Sequence, residues 1–241
     1  MEWGPFGADV VSPAIDIAVV VDVLSFTTSL SVAIDAGAEV FPYRWNSESA
    51  EEFADLHSAT LAVSRSRAHR GQVSLSPVTI RAATDLIRLV LPSPNGSSLS
   101  FQLADAGAVV VGACLRNRMA TARWLTDRLE GPDVVIAVIA AGERWPDGSL
   151  RPAVEDLWGA GAVIDSLQDA LTTSFSREAE ASAAAFRNVQ SDIGPALMEC
   201  SSGQELIAAG FIDDIAVAAE LDKSENVPVL KDGKFCNSVP S

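Results

Sequence analysis

A three-layer α/β/α sandwich around a mostly parallel central sheet is the fold class this sequence predicts, on two observations. Short runs rich in β-branched residues and apolar at nearly every position alternate with segments of helical periodicity from Ile15 to Ala170. Strands covered on both faces read as unbroken apolar runs of this kind. Because a helical segment follows almost every strand, consecutive strands cannot form hairpins and must pair in parallel through crossovers.

The elements follow in order. Ile15 to Val23 reads as a buried strand, and Ser25 to Thr28 supply N-cap hydroxyls for a helix carrying apolar residues from Leu30 to Ala36, before Gly37. Val40 to Tyr43 predicts a strand, Glu48 to Leu56 a helix, Leu61 to Val63 a short strand, and Ser64 to Pro77 a polar loop. Leu86 to Leu91 is a strand, Ser97 to Ala106 a helix, Ala108 to Gly112 a strand, Asn117 to Leu129 a helix, Val134 to Ala140 a strand and Pro152 to Ala170 a long helix. Beyond Thr172 the alternation stops. Arg177 to Gln190 and Ser202 to Ala209 are helical, and Val227 to Phe235 predicts a hairpin turning at Asp232-Gly233. No Pro/Gly/Ser-rich linker or composition shift divides the chain, so residues 1–241 are expected to form a single domain.

Composition narrows the function. Hydrophobic residues are 48% and charged residues 20% of the 241, ordinary values for a globular protein. Asp plus Glu number 32 against 17 Lys plus Arg, a formal charge of -15. Such a surface repels nucleic-acid phosphates and anionic lipid, so neither nucleic acid nor membrane is an expected partner. Ile15 to Ile34 is interrupted by Asp16 and Asp22 and cannot span a bilayer. Three scattered cysteines without a Cys-x-x-Cys pair argue against a disulfide framework and a structural zinc site. With no cationic-then-apolar start, the expected compartment is the cytoplasm. A homo-oligomer stays open.

Ligands of parallel sheets bind where strands end and helices begin. Four polar segments occupy such places: Asp22, Pro92 to Ser98, Cys114 to Asn117, and Ala141 to Arg144. Asp22, Asn95, Cys114, Glu143 and Asp156 are therefore expected to line one cleft. The Asn95-Gly96-Ser97 turn reads either as an ordinary turn with an N-cap or as free amides that hold an oxyanion. Asp22 is a cap, a metal ligand or a nucleophile; Glu155 and Asp156 either complement a helix dipole or bind Mg²⁺ through oxygen. Other chemistries lack their residues. There is no Walker A sequence and no Gly-x-Gly-x-x-Gly after a strand. Cys200 has Leu206 where a cysteine-dependent phosphatase loop needs Arg, and His57 and His69 lie away from the strand ends. What remains suits metal-assisted chemistry on a small phosphorylated anion.

Seven stretches occur together and in order: Val21-Asp22-Val23-Leu24 with Thr27-Thr28, Ser76-Pro77, Pro94 to Ser97, Gly112 to Asn117, Ala141-Gly142, Glu155-Asp156 with Ala160-Gly161, and Val227 to Gly233. In these the sequence resembles the 2-phosphosulfolactate phosphatases over Ile17 to Phe235. The resemblance implies an α/β/α sandwich, Mg²⁺ as cofactor, and hydrolysis of 2-phospho-3-sulfolactate to sulfolactate and phosphate in coenzyme M biosynthesis. It makes Asp22, Glu155 and Asp156 the candidate metal and catalytic carboxylates, and Asn95, Gly96 and Ser97 the anion-binding turn, with Asn117 nearby. By their place on the same rim, Glu143 is expected to join Asp22 and Asp156 as a metal ligand, and Arg116 to join the phosphate-binding set.

The chain departs from that pattern at three places. Ser25 replaces an Arg beside Asp22, Gln204 follows Gly203 where the family has Arg, and Ser64 to Arg67 replaces a Gly-rich acidic-basic loop. A substrate with two anions needs cations for both, and Arg65, Arg67, Arg116 and Arg144 are the available replacements. The alternatives are a phosphatase for a phosphomonoester without sulfonate, and a silent binder of a small organic phosphate. The attacking group is water or Asp22 itself. Leu24 stands where a haloacid-dehalogenase-type site needs a second Asp, which favours water.

Overall fold

The computed structural model describes residues 1–44, 49–129, 134–170 and 174–238. Eleven strands and eleven helices follow one another in the described residues. β1 (Glu2–Trp3) and α1 (Gly4–Val11) precede β2 (Ile17–Val21), α2 (Phe26–Asp35), β3 (Glu39–Arg44), α3 (Ala50–Leu56), β4 (Thr60–Leu61) and α4 (Pro77–Arg81). β5 (Arg88–Ser93), α5 (Gly96–Asp105), β6 (Val109–Ala113), α6 (Arg118–Thr126) and β7 (Ile136–Ala140) continue the alternation. A short ribbon of β8 (Glu143–Arg144) and β9 (Leu150–Arg151) leads to α7 (Val154–Ala170) and α8 (Arg177–Val189). Three short helices, α9 (Ile193–Glu199), α10 (Ser201–Ala208) and α11 (Ile212–Ala218), then reach the hairpin of β10 (Pro228–Lys231) and β11 (Lys234–Asn237).

Nine strands form one sheet in the order β1-β7-β2-β6-β10-β11-β3-β5-β4. The pairs β1–β7, β7–β2, β2–β6, β3–β5 and β5–β4 are parallel, as the alternation predicts. The predicted C-terminal hairpin forms, but it does not lie at an edge. It enters the middle of the sheet, with Val229 against Val111 and Phe235 against Val40, both antiparallel. Nothing in local patterning marks this insertion, because it depends on which strand edges the crossovers leave unpaired.

The strand run at Ile17 explains the sandwich. Ile17, Val19 and Val21 pack into one apolar cluster with α6, α7 and α8, whereas Ala18 and Val20 pack into another with α2 and α5. Period-two alternation with both faces apolar leaves no polar position, hence the unbroken run. Gly159 lets α7 press onto the end of β2: a Cβ there would lie 2.5 Å from Val23 Cγ2 and 2.8 Å from Val21 Cγ1. Its first turn is thereby held beside the residues that follow β2.

Three readings needed correction. The segment read as loop between Ser64 and Pro77 contains a 3₁₀ turn at Arg65–Arg67 and leads into α4, which begins at Pro77, favourable as the first residue of a helix. The strand expected at Leu61 to Val63 is only Thr60–Leu61. β1 and α1 lie before the first predicted element. The expected start of α3, Glu48, falls outside the described residues. No helix among the described residues is long and apolar enough to cross a membrane.

Candidate active site

The residue after β2, Asp22, carries the centre of the site. Its carboxylate is buried and accepts two amides, Phe26 N–H on Oδ1 and Gly96 N–H on Oδ2, each at 3.1 Å. Phe26 opens α2 and Gly96 opens α5, so a single carboxylate sits against the positive ends of two helices. Thr27 fixes the turn: its hydroxyl donates to Asp22 O at 2.7 Å and accepts the Asp22 amide at 3.0 Å.

Asp22 shares a cavity of about 210 Å³ with Ser25, Arg65, Asn95 and Glu143, roofed in part by Phe26 and Leu91. Asn95 Nδ2 donates to Glu143 Oε2 at 3.2 Å, joining the turn after β5 to the ribbon after β7. Three of the four polar strand-end segments thus converge as expected, around Asp22, Asn95 and Glu143.

The remaining expected residues do not line this cavity. Asp156 lies behind it, with Val23 N–H donating to Oδ1 at 2.7 Å and Gly142 N–H to Oδ2 at 2.8 Å. It clamps the chain leaving β2 to the chain leaving β7. Glu155 is buried beside Cys200. Cys114 is buried, and the Asn117 side chain accepts its amide at 2.9 Å while donating to Gly112 O at 3.2 Å. Arg116 is buried too: Nη2 donates to Asp35 Oδ2 at 2.7 Å, Nε to Ser31 Oγ at 3.3 Å, and Nη1 to Glu220. The Cys114 to Asn117 segment therefore serves the core and not the cavity, because its polar atoms find partners on α2 and on the chain before β10.

The expected anion turn also needs correction. Gly96 N–H is given to Asp22 and, at 3.1 Å, to Ser93 Oγ, while the Ser97 hydroxyl donates to Leu91 O at 3.0 Å. The protein's own carboxylate occupies the helix terminus that the turn was expected to offer to phosphate.

The charge balance around this site is acidic. Burial raises the pKa of Asp22 above the usual carboxylate value, opposed by its backbone amides and reinforced by Glu155. Asp156 is pushed well above its usual value, by burial first and then by Asp22 and Glu155. Glu143 is raised to about 7, again by burial first, then by Asp22 and Glu155, with Arg151 opposing. Burial also raises the thiols of Cys114 and of Cys200, the latter to about 12, so neither is a ready nucleophile. Among the described residues, no three His, Cys, Asp or Glu side chains are grouped so that they could hold a metal ion by themselves.

Of the four arginines named as replacements, Arg65 reaches the cavity. Arg67 is exposed, Arg144 donates to Gly148 O at 3.2 Å on the ribbon, and Arg116 is committed as above. Asp214 holds Arg65 in place through Oδ2 at 2.8 Å. Sequence reasoning missed Asp214, since an Asp pair at a helix start reads as dipole complement; its burial, not its spacing, marks it out.

Comparison with known proteins shows the family of this chain. The family model described as 2-phosphosulpholactate phosphatase matches residues 10–233. A probable 2-phosphosulfolactate phosphatase of Microcystis aeruginosa is 29% identical over 225 residues, covering 90% of each chain. One of Parasynechococcus marenigrum is 32% identical over 231 residues, covering 88% of each. The 2-phosphosulfolactate phosphatase of Methanothermobacter thermautotrophicus is 27% identical over 220 residues, covering 90% of this chain and 88% of that one.

Proposed function

The chain belongs to the 2-phosphosulfolactate phosphatase family, a family of phosphoric monoester hydrolases, and on that premise we propose that the Asp22 cavity hydrolyses 2-phosphosulfolactate to sulfolactate and phosphate with Mg²⁺ bound. The observation that carries the reading is Asp22 itself, a buried carboxylate held by two helix-terminal amides in the wall of a small cavity, with Glu143 beside it.

The donor set suits Mg²⁺. This ion keeps several waters and takes one or two carboxylates together with phosphate oxygens, so it does not require a three-ligand cage. Asp22 and Glu143 would hold it, and Asp156 would act behind them by fixing Val23 and Gly142. When bound, Mg²⁺ supplies charge neutralisation on the phosphoryl oxygens. It also offsets the repulsion that raises the pKa of Glu143.

The chain's residues supply the rest by position. The two amides keep Asp22 from rotating, Asn95 holds the Glu143 carboxylate, and Phe26 and Leu91 supply apolar wall. Water attacks phosphorus in line, forming a new P–O bond as the ester P–O bond breaks; the proton that the water gives up balances the one taken by the leaving alkoxide, which departs as the sulfolactate hydroxyl.

Phosphate release from 2-phosphosulfolactate and from a panel of other phosphomonoesters, with Mg²⁺ and with chelator, tests this. Release from 2-phosphosulfolactate that the chelator abolishes is expected. No release from any ester would overturn the reading; undiminished release in chelator would remove Mg²⁺ from it.

A further inference from the structure

The lining of the cavity carries charges of both signs. Asp22 and Glu143 are acidic, and an anion approaches them only with a cation between. Arg65 is its basic residue. Its Nε is paired with Asp214, whose other oxygen accepts the Ser76 hydroxyl, and the ring of Phe211 lies 5.8 Å from its guanidinium carbon. Asp214 and Phe211, both at the start of α11, hold this side chain in one orientation, and Ser76 anchors Asp214. Yet its Nη2 is buried and has no hydrogen-bond partner among the described residues. Buried donors without partners are rare in native proteins, and a charged one is the most costly to leave unmet. That cost is removed where a ligand supplies the acceptor.

Arg65 also forms part of a second hollow of about 380 Å³, lined by His69 and Arg70, so it stands as the wall between the two cavities.

We propose that Arg65 binds the second anion of the substrate, the oxyanion group on the alcohol portion, and thereby sets preference for phosphoesters that carry one. The proposal rests on the phosphatase reading above and deepens it. A guanidinium presents two parallel N–H donors to a carboxylate or sulfonate. With Nε taken by Asp214, Nη1 and Nη2 are the donors left for the ligand, and Nη2 is the buried one. The phosphoryl group then lies toward Asp22 and Glu143, and the group not transferred lies toward Arg65. In this way Arg65 supplies the cation that Ser25 does not.

The test compares wild type, Arg65→Gln and Arg65→Lys in the full chain. It measures kcat/KM for 2-phosphosulfolactate relative to glycerol 2-phosphate, whose alcohol carries no charge. It also measures calorimetric affinity for sulfolactate and for inorganic phosphate. Arg65→Gln should lower the kcat/KM ratio by about 10- to 100-fold and weaken sulfolactate to the same degree, leaving inorganic phosphate within about two-fold. Arg65→Lys keeps a charge for Asp214 and loses the fork, so it should fold and still lower the ratio by about 10-fold; it decides the matter if the Gln variant does not fold. An unchanged ratio, no sulfolactate binding by wild type, or inorganic phosphate weakened as much as sulfolactate would overturn the proposal. A wild type that hydrolyses no ester would sink the phosphatase reading, while the calorimetry would still judge Arg65.

Discussion

Gly96 donates its amide hydrogen to Asp22 Oδ2 at 3.1 Å, joining residues that stand 74 apart in the chain. Through this bond and its partner from Phe26, α5 and α2 are both aimed at one carboxylate. The arrangement makes Asp22 at once a structural tie and a charged group in the wall of the cavity, and the two roles are separable by substitution.

Asp22→Asn keeps one acceptor oxygen and the side-chain shape. One of the two amides loses its partner, at a cost of about 1–3 kcal/mol, partly offset because a buried charge is removed. Phosphate release should fall by at least about 100-fold, while urea unfolding shows a stability loss of no more than about 2 kcal/mol. Wild-type turnover in this variant would remove Asp22 from the chemistry.

Gly96→Ala addresses the tie alone. The added Cβ would fall 2.3 Å from Phe26 Cδ1 and 2.9 Å from Asp22 Oδ2, so both must move. Overpacking of this kind costs about 1–3 kcal/mol. Activity should fall by about 10-fold or more although no charged group is altered. Full activity with unchanged stability would show that the helix α5 terminus can shift without disturbing Asp22.

Asp156→Asn should behave differently from Asp22→Asn. Asp156 clamps Val23 and Gly142 and does not line the cavity. Its loss loosens the chain leaving β2 and the chain leaving β7, and an effect of about 10-fold on kcat is expected, with KM little changed. A loss as deep as that of Asp22→Asn would place Asp156 in direct contact with the reacting groups.

These contrasts bear on how much of the site was legible in sequence. Asp22, Asn95 and Glu143 were legible because a strand end followed by a polar turn is a local signal, and the parallel crossover brings such ends together. Asp156 was legible as a charged residue but not as a clamp, because which amides it meets depends on the packing of α7 at Gly159. Arg116 and Asn117 looked equally well placed, and only the partners Asp35, Glu220 and Asn226, all distant in sequence, turn them into the core. The sandwich was legible in the alternation of apolar runs and helical segments from Ile15 to Ala170; the hairpin insertion was not, since β10 and β11 look the same at an edge or in the middle.

Glu143 predicts a pH dependence of stability. Its pKa is raised from 4.5 to about 7 in the folded protein, chiefly by burial. Between those values the folded form holds a proton that the unfolded form has lost, so stability falls as pH rises through this window. In chelator-treated protein the loss should reach roughly 3 kcal/mol by pH 7 and level off above it. Asp22 and Asp156 are raised as well and add in the same direction. Mg²⁺ favours the ionised carboxylates and should raise Tm more at pH 8 than at pH 5.5. Urea titrations across this range check both statements; stability that rises from pH 5 to 7 without metal would contradict the acidic balance described for the cavity.

Ser25 and Arg65 line the same cavity, and this yields the sharpest prediction about specificity. Where the family pattern has Arg beside the aspartate, this chain has Ser25, which precedes α2 and makes no side-chain cap. If Arg65 already serves the second anion, a new cation at position 25 is largely redundant in the wild type. Ser25→Arg should then change kcat/KM for 2-phosphosulfolactate relative to glycerol 2-phosphate by no more than about three-fold. In an Arg65→Gln background the same substitution supplies the only strong partner for that anion, and should recover about 10-fold of the lost ratio. The two substitutions are therefore non-additive, as expected of residues that share one ligand. Steady-state kinetics on the four proteins of this cycle decide it. An equal gain in both backgrounds would mean that the two positions face different parts of the substrate, and that the cation missing at Ser25 is not replaced by Arg65.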